Sequence, residues 1–261
     1  MPKYGYLVVE GPHDVEFVYR LLSPFGLTRV QWDKHLDSYM QPLVPRSFPH
    51  GGDLQKRVPV PLFLQSPSHA IAIHSAIGDT RLVETVDESA SLINFNSDFH
   101  LMTGVGIILD TDQEIPAAKR YAAIKEGMQV KGFVLPDSPG KVTAGPPRFG
   151  AFVLPDNNSV GNLEDLLIEC AQTAYPHLLD SARKHIEVAK QGATLQQWDG
   201  EDLTKTSVCN KAIVGAIASV LKPGKAIQTS IQDNKWFRDG NLKLSRVKAV
   251  QDFLVNLLEL S

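Results

Sequence analysis

Four carboxylates stand where residue type and spacing point to chemistry. Asp110 and Asp112 are separated by one residue, so in an extended backbone their side chains leave on the same side about 7 Å apart, at a rise of roughly 3.3 Å per residue. Two such groups can lean toward one cation. Magnesium takes oxygen ligands at about 2.0–2.1 Å and keeps several waters, so a few carboxylates plus substrate phosphates are enough to hold it. A DxD pair in a polar turn is a weak signal. This one ends a wholly apolar run, GVGIIL at 104–109, and another acid, Glu10, ends a second such run directly before Gly11 and Pro12. Gly11 is expected to supply a turn that a residue with a Cβ disfavours. The plain alternative for Glu10 is a strand-end carboxylate paired with Arg20 or Lys3. Glu164 is the fourth acid. With Asn162 as the cap of a helix, Asp165 is its third residue, explained by a capping box and by the helix dipole. Glu164 is not so explained, because Leu167 and Ile168 lie three and four residues on. A carboxylate beside an apolar face requires a charge or metal partner.

The elements that must position these acids are readable from periodicity. Gly5 to Glu10 form a short continuous apolar strand, and after Gly11-Pro12 the residues Val15, Val18, Tyr19 and Leu22 recur at helical spacing. From about 31 to 69 the chain is broken by prolines at 42, 45, 49, 59, 61 and 67, which reads as an irregular insertion. HAIAIHSAIG at 69–78 predicts a strand ending in a glycine turn, and TRLVETVDESASLINF after it a helix. GVGIIL is the clearest buried strand, followed by a helix near Ala117 to Glu126. Phe149 to Leu154 make another strand, PDNNSVG a loop, and Leu163, Leu166, Leu167 and Cys170 the stripe of a capped helix. Beyond about Gln172 only helices are predicted, with loops at 192–205 and 223–241. Strands alternating with helices give an α/β fold with a mostly parallel sheet. In such sheets ligands bind beyond the carboxyl ends of the strands, where Glu10 and Asp110 stand.

At 261 residues and 43% hydrophobic content the chain suits one large domain or two modest ones. The opening MPKYGYLVVEG has no signal-peptide h-region and no stretch approaches the roughly 18 apolar residues of a membrane span, so the cytoplasm is expected and a membrane is not. Cys170 and Cys209 are too few for a disulfide framework, lack zinc spacing and are expected to be buried thiols. A net charge of -3 gives no global nucleic-acid footprint. Between Lys205 and Lys248, however, nine basic residues face two acidic ones, a net +7 that leaves -10 for the remainder. An acidic body with a basic segment fits a protein that gathers cations in one region and phosphates in another, although solvated helix faces give the same count. Lys211 or Lys205 would stabilise developing phosphate charge if the C-terminal helices fold back over the sheet. Trp236 and Phe237, beside Lys235 and Arg238, offer stacking on unpaired bases, with core packing the preferred reading. GKVT at 140–143 lacks the upstream glycine of a phosphate-binding loop, and His13, His69, His74 and His100 show no metal spacing.

Taken together, LVVEGPHDVEF, AIGDT, IILDTD and VLPDNNSVGNLEDLLIE resemble the ordered motifs of Toprim domains over about residues 4–170. The last segment is most similar to Toprim-bearing proteins related to overcoming-lysogenisation-defect nucleases and to stand-alone proteins near them. The resemblance places the family glutamate on Glu10, its aspartate pair on Asp110 and Asp112, and its late glycine and glutamate on Gly161 and Glu164. It implies a sheet of about four strands sandwiched by helices over 1–171, with a basic helical region, 172–261, packed on it. It also implies Mg²⁺ (Mn²⁺ as substitute) for cleavage, joining or synthesis of phosphodiesters. The expected site is then Glu10, Asp110, Asp112 and Glu164 as metal ligands, with Lys211 beside them and Gly11, Asp14, Gly78, Gly161 and Asp165 in support. A nuclease acting on DNA or RNA through 205–248 is the leading expectation. One rival is a catalytically silent binding module working with a protein partner in DNA repair or phage defence. A weaker rival takes DTDQE as the nucleophile loop of a haloacid-dehalogenase-like phosphatase, where Gln113 departs from the pattern.

Overall fold

Alternation inside the apolar runs decides how the layers form. The structure, a computed structural model, describes residues 2–46, 60–93, 101–111, 115–191 and 201–261. In β1 (Lys3–Val9), Tyr4, Tyr6 and Val8 enter one hydrophobic core while Leu7 and Val9 enter another. The long strand Met102–Asp110 does the same, with Val105, Ile107 and Leu109 on one side and Ile108 on the other. Strands buried on both faces read as continuous apolar runs, which is why these two were legible.

Numbered in chain order, the remaining strands are β2 (Thr28–Arg29), β3 (Leu62–Gln65), β4 (His69–Ser75) and β6 (Arg148–Leu154), with Met102–Asp110 as β5. The sheet order is β2-β3-β4-β1-β5-β6. β1 pairs in parallel with β4 and β5, and β5 with β6, while β3 is antiparallel to β4 and β2 to β3. The sheet is therefore mostly parallel, as expected, but has six strands where about four were anticipated. The two extra strands are β2, just ahead of the proline-punctuated stretch, and β3, inside the segment read as an insertion, while Leu36, Met40 and Leu43 from that stretch are buried in the core. Pro61 and Pro67 flank β3 without entering it, and such short strands beyond a sheet's parallel centre carry little periodicity to detect.

Among the described residues eight α-helices cover the sheet. α1 (Pro12–Leu22) lies on one face; α2 (Leu82–Leu92) and α3 (Ala117–Val130) lie on the other. The C-terminal helices α4 (Leu163–Ala174), α5 (Pro176–Gln191), α6 (Thr206–Leu221), α7 (Ile227–Asp233) and α8 (Ser245–Leu258) share the core of α1. α7 falls within 223–241, read as a loop from sequence, because seven residues after Pro223-Gly224 are too few to display a helical period. α8 lies directly on the sheet. A Cβ at Gly5, Gly104 or Gly106 would collide with Leu257 or Leu258, and one at Gly150 would stand 2.8 Å from the Phe253 ring. The glycines of β1, β5 and β6 thus form a groove that admits the last helix.

The same packing answers two expectations. Trp236 and Phe237 are fully buried; Trp236 Nε1 donates to Ser230 Oγ at 2.9 Å and Phe237 stacks 4.7 Å from Phe17. They belong to the core and cannot present their rings to bases. Cys170 is fully buried as expected, whereas Cys209 is only partly so. In the basic segment, Lys222 pairs with Asp233 at 2.8 Å, Arg246 with Asp156 at 3.0 Å and Lys248 with Asp252. No described helix is long and apolar enough to cross a membrane.

Candidate functional site

The helix after β1 crosses one face of the sheet and the helix after β5 crosses the other, so their connections part at the carboxyl edge and leave a crevice between them. Parallel register sets Val9 opposite Ile108, so Glu10 follows one residue on and Asp110 two, both at the same edge of the sheet. The Asp110 backbone N–H donates to Glu10 Oε1 at 3.0 Å. The crevice opens into a cleft of about 400 Å³ walled by Glu10, His13, Asp14, Asp110, Glu164 and Lys211.

Two helix starts aim into this cleft. α1 begins after Gly11, whose N–H donates to Asp14 Oδ2 at 2.9 Å, and α4 begins after Asn162, whose N–H donates to Asp165 Oδ2 at 2.8 Å. The first helical N–H of α4, on Leu163, donates to Asp110 Oδ1 at 3.1 Å, an arrangement that favours negative charge at a helix N-terminus. Thr111, fully buried, fixes the approach to α4: its hydroxyl donates to the Gly161 carbonyl at 2.7 Å and accepts the Gly161 N–H at 2.5 Å. Asp165 spends its second oxygen on Asn210 Nδ2 at 2.9 Å, which ties the first turns of α6 to α4 and brings the next residue, Lys211, to the cleft. The third wall is the turn after β4. Ile77 and Gly78 both have left-handed backbones, with φ of 54° and 121°, and the Gly78 N–H donates to the Glu10 carbonyl at 3.1 Å. A β-branched residue in that region is strained, a feature that clusters at functional sites.

Electrostatically the cleft is crowded with acids. Asp110 is pushed well above the ordinary carboxylate range, first by burial and then by Asp14, Glu10 and Glu164. Asp14 is pushed up to about 7 by burial and by Glu10. Burial also raises Glu164, with Lys211 opposing. His13 Nδ1 lies 4.0 Å from Glu164 Oε1, but burial and Lys211 lower the imidazole pKa, so this contact is not an ion pair near neutral pH. Against Glu10, outside the cleft lining, lies Arg120 of α3, its side chain 12% exposed. Its Nη2 lies 3.2 Å from Glu10 Oε1 and 3.1 Å from Asp79 Oδ2, and its Nε donates to the Asp110 carbonyl at 3.2 Å.

Of the residues predicted from sequence, the fold brings Glu10, Asp14, Asp110, Glu164, Lys211, Gly11 and Gly78 to one cleft, with Gly161 and Asp165 behind it. Asp112 lies outside the described residues. Gly11 is not needed for its backbone, since φ -140° and ψ 176° are open to any residue and a Cβ there would lie 3.4 Å from Asp14 Oδ2. Lys205 precedes α6 and does not line the cleft. Sequence reasoning missed Arg120, Thr111 and the placement of His13. Arg120 sits in an alanine- and lysine-rich helix that reads as solvated, and nothing local marks it. All-oxygen donors with a high density of negative charge suit a hard divalent ion such as Mg²⁺. Among the described residues, no three His, Cys, Asp or Glu side chains already form a metal cage; Mg²⁺ needs only one or two carboxylates completed by water and phosphate.

The fold and cleft define an α/β protein with an acid-lined site where its central parallel strands part company. The chain belongs to the family described as Protein of unknown function (DUF3226), whose model matches residues 4–259. No curated protein matches it. Among solved structures, the hypothetical protein PH0156 from Pyrococcus horikoshii OT3 is similar over 99% of this chain and 97% of that one, with a TM-score of 0.51 and 16% identity, a likeness of fold.

Proposed function

We propose that this chain carries out Mg²⁺-dependent phosphoryl transfer on nucleic acid, as a Toprim-like nuclease. The observation that carries the reading is the meeting of Glu10, Asp14, Asp110 and Glu164, drawn from three separate parts of the chain, in one cleft at the strand ends. Like charges gathered at the cost of raised carboxyl pKa values call for a cation. Glu10, Asp110 and Glu164, with Asp112, would supply its oxygens. A bound Mg²⁺ lowers the pKa of coordinated water and offsets charge on a phosphate. The chain's own contribution is positional: the α4 N-terminus holds Asp110, Arg120 holds Glu10, and Lys211 faces the acids from α6, where it meets phosphate charge. Other cations of 205–248 would steer the DNA or RNA.

The test is titration of Mg²⁺ or Mn²⁺ against single- and double-stranded DNA and RNA with the full chain. Metal-dependent cleavage lost by at least about 10³-fold in Asp110→Ala is expected. Cleavage that survives this substitution, or none on any substrate, removes the nuclease reading. A second reading, a catalytically silent module acting through a protein partner, draws support from Arg120, because a protein cation already bonded to Glu10 offsets part of the acidity.

A further inference from the structure

Arg120 lies against Glu10, one of the carboxylates that the metal reading assigns to the cation. In two-ion sites the two ions lie about 3.5–4 Å apart and share carboxylates between them. Glu10 is the acid on the β1 side of the cleft, and its Oε1 accepts both the Asp110 N–H at 3.0 Å and Arg120 Nη2 at 3.2 Å. The guanidinium is held from further directions by Asp79 at 3.1 Å and by the Asp110 carbonyl at 3.2 Å, so it is fixed by three separate stretches of chain. A surface arginine that met Glu10 by chance would not be 12% exposed and bonded on three sides. A divalent ion on the same side of Glu10 would face that fixed charge within a few ångströms. Toward the cleft the surroundings are reversed: Asp14, Asp110 and Glu164 line it together beside Glu10, with Lys211 as the cation among the lining residues, and Asp110 Oδ1 is held by the Leu163 N–H at 3.1 Å.

Building on the metal reading given above, we propose that the cleft takes a single divalent ion, on the side of Asp110, Asp14 and Glu164. The Arg120 guanidinium serves as the second positive charge, on the side of Glu10. Arg120 is then a positioning residue and charge substitute, and the site is a one-ion site closed by a protein cation.

Binding of Mn²⁺ alone to the full chain tests this, by calorimetry for stoichiometry and by electron paramagnetic resonance for ion-ion coupling. The wild type should bind one Mn²⁺ with an uncoupled spectrum. Arg120→Gln should admit a second, with the broadening of two ions a few ångströms apart, and Arg120→Lys should restore the count to one. Circular dichroism confirms that each variant is folded, and the wild-type count decides the matter if Arg120→Gln is not. Two coupled ions in the wild type, or a folded Arg120→Gln that still binds one, overturns the proposal. No Mn²⁺ bound at all withdraws the metal reading itself, an outcome distinct from two.

Discussion

The starts of α1 and α4 are built alike and used differently. Each has an aspartate at its third position, Asp14 or Asp165, that accepts the N–H of the residue before the helix at 2.9 or 2.8 Å. Asp165 completes its bonding with Asn210 and so serves the architecture, bringing Lys211 to the cleft. Asp14 turns toward Glu10, Asp110 and Glu164, and is pushed up to about 7. The same capping device is thus a joint in one helix and part of a charged site in the other. What separates them is the neighbour: an amide in one case, a set of carboxylates in the other.

Three substitutions break or sharpen that contrast. The largest effect should come from Asp14→Asn, which can still accept the Gly11 N–H but no longer ionises. Asp14 has a folded-state pKa near 7 against 3.8 unfolded, so the folded state binds more protons and its stability falls as pH rises from about 4 to 7. In EDTA at pH 8, Asp14→Asn should therefore be more stable than wild type, by up to about 4 kcal/mol. The difference should vanish near pH 4, as read by urea denaturation across a pH series. A variant less stable than wild type at pH 8 would show that the carboxylate is needed as an anion. Asp165→Ala should be destabilising by about 1 kcal/mol at neutral pH, the usual worth of a helix cap, and should lower Mn²⁺ affinity only indirectly, by loosening Asn210 and Lys211. Hydrogen exchange at the start of α6 would report that loosening, and unchanged protection there would refute the link. Gly11→Ala should be the smallest, within about 0.5 kcal/mol of wild type, because its backbone is extended and its Cβ would make ordinary contact with Asp14. A large loss measured by thermal melting would restore the special role that sequence reasoning gave this glycine.

The legible parts of the molecule were those in which neighbouring residues carry the signal. β1, β5 and β6 were visible as continuous apolar runs, and Glu10, Asp110 and Glu164 were visible as acids out of keeping with those runs. Asp14 was named only as a supporting residue, since an aspartate early in a helix is explained by capping until its cross-chain neighbours are known. Arg120 was invisible for a stronger reason: its partners lie 110, 41 and 10 residues away, at Glu10, Asp79 and Asp110. β3 was hidden among prolines, which signal breaks in periodicity and say little about the short strands between them, and β2, two residues long, shows no period at all. The glycines of GVGIIL were read as part of a strand and not as a seat for another helix, because only the distant Leu257 gives them that meaning.

That seat bears on when the strands behind the site are fixed in place. Glu10 and Asp110 extend from β1 and β5, the strands whose glycines receive α8, and α8 is the last helix in chain order. The contacts from Gly5 to Leu258 and from Gly104 and Gly106 to Leu257 therefore close some of the longest loops in the chain, a slow and entropically demanding step. A chain ending at residue 244 would keep Glu10, Asp14, Asp110 and Glu164, but the strands that lead to Glu10 and Asp110 would lose the helix seated on their glycines. The strands that position Glu10 and Asp110 are thus seated by a helix that contributes no residue to the cleft.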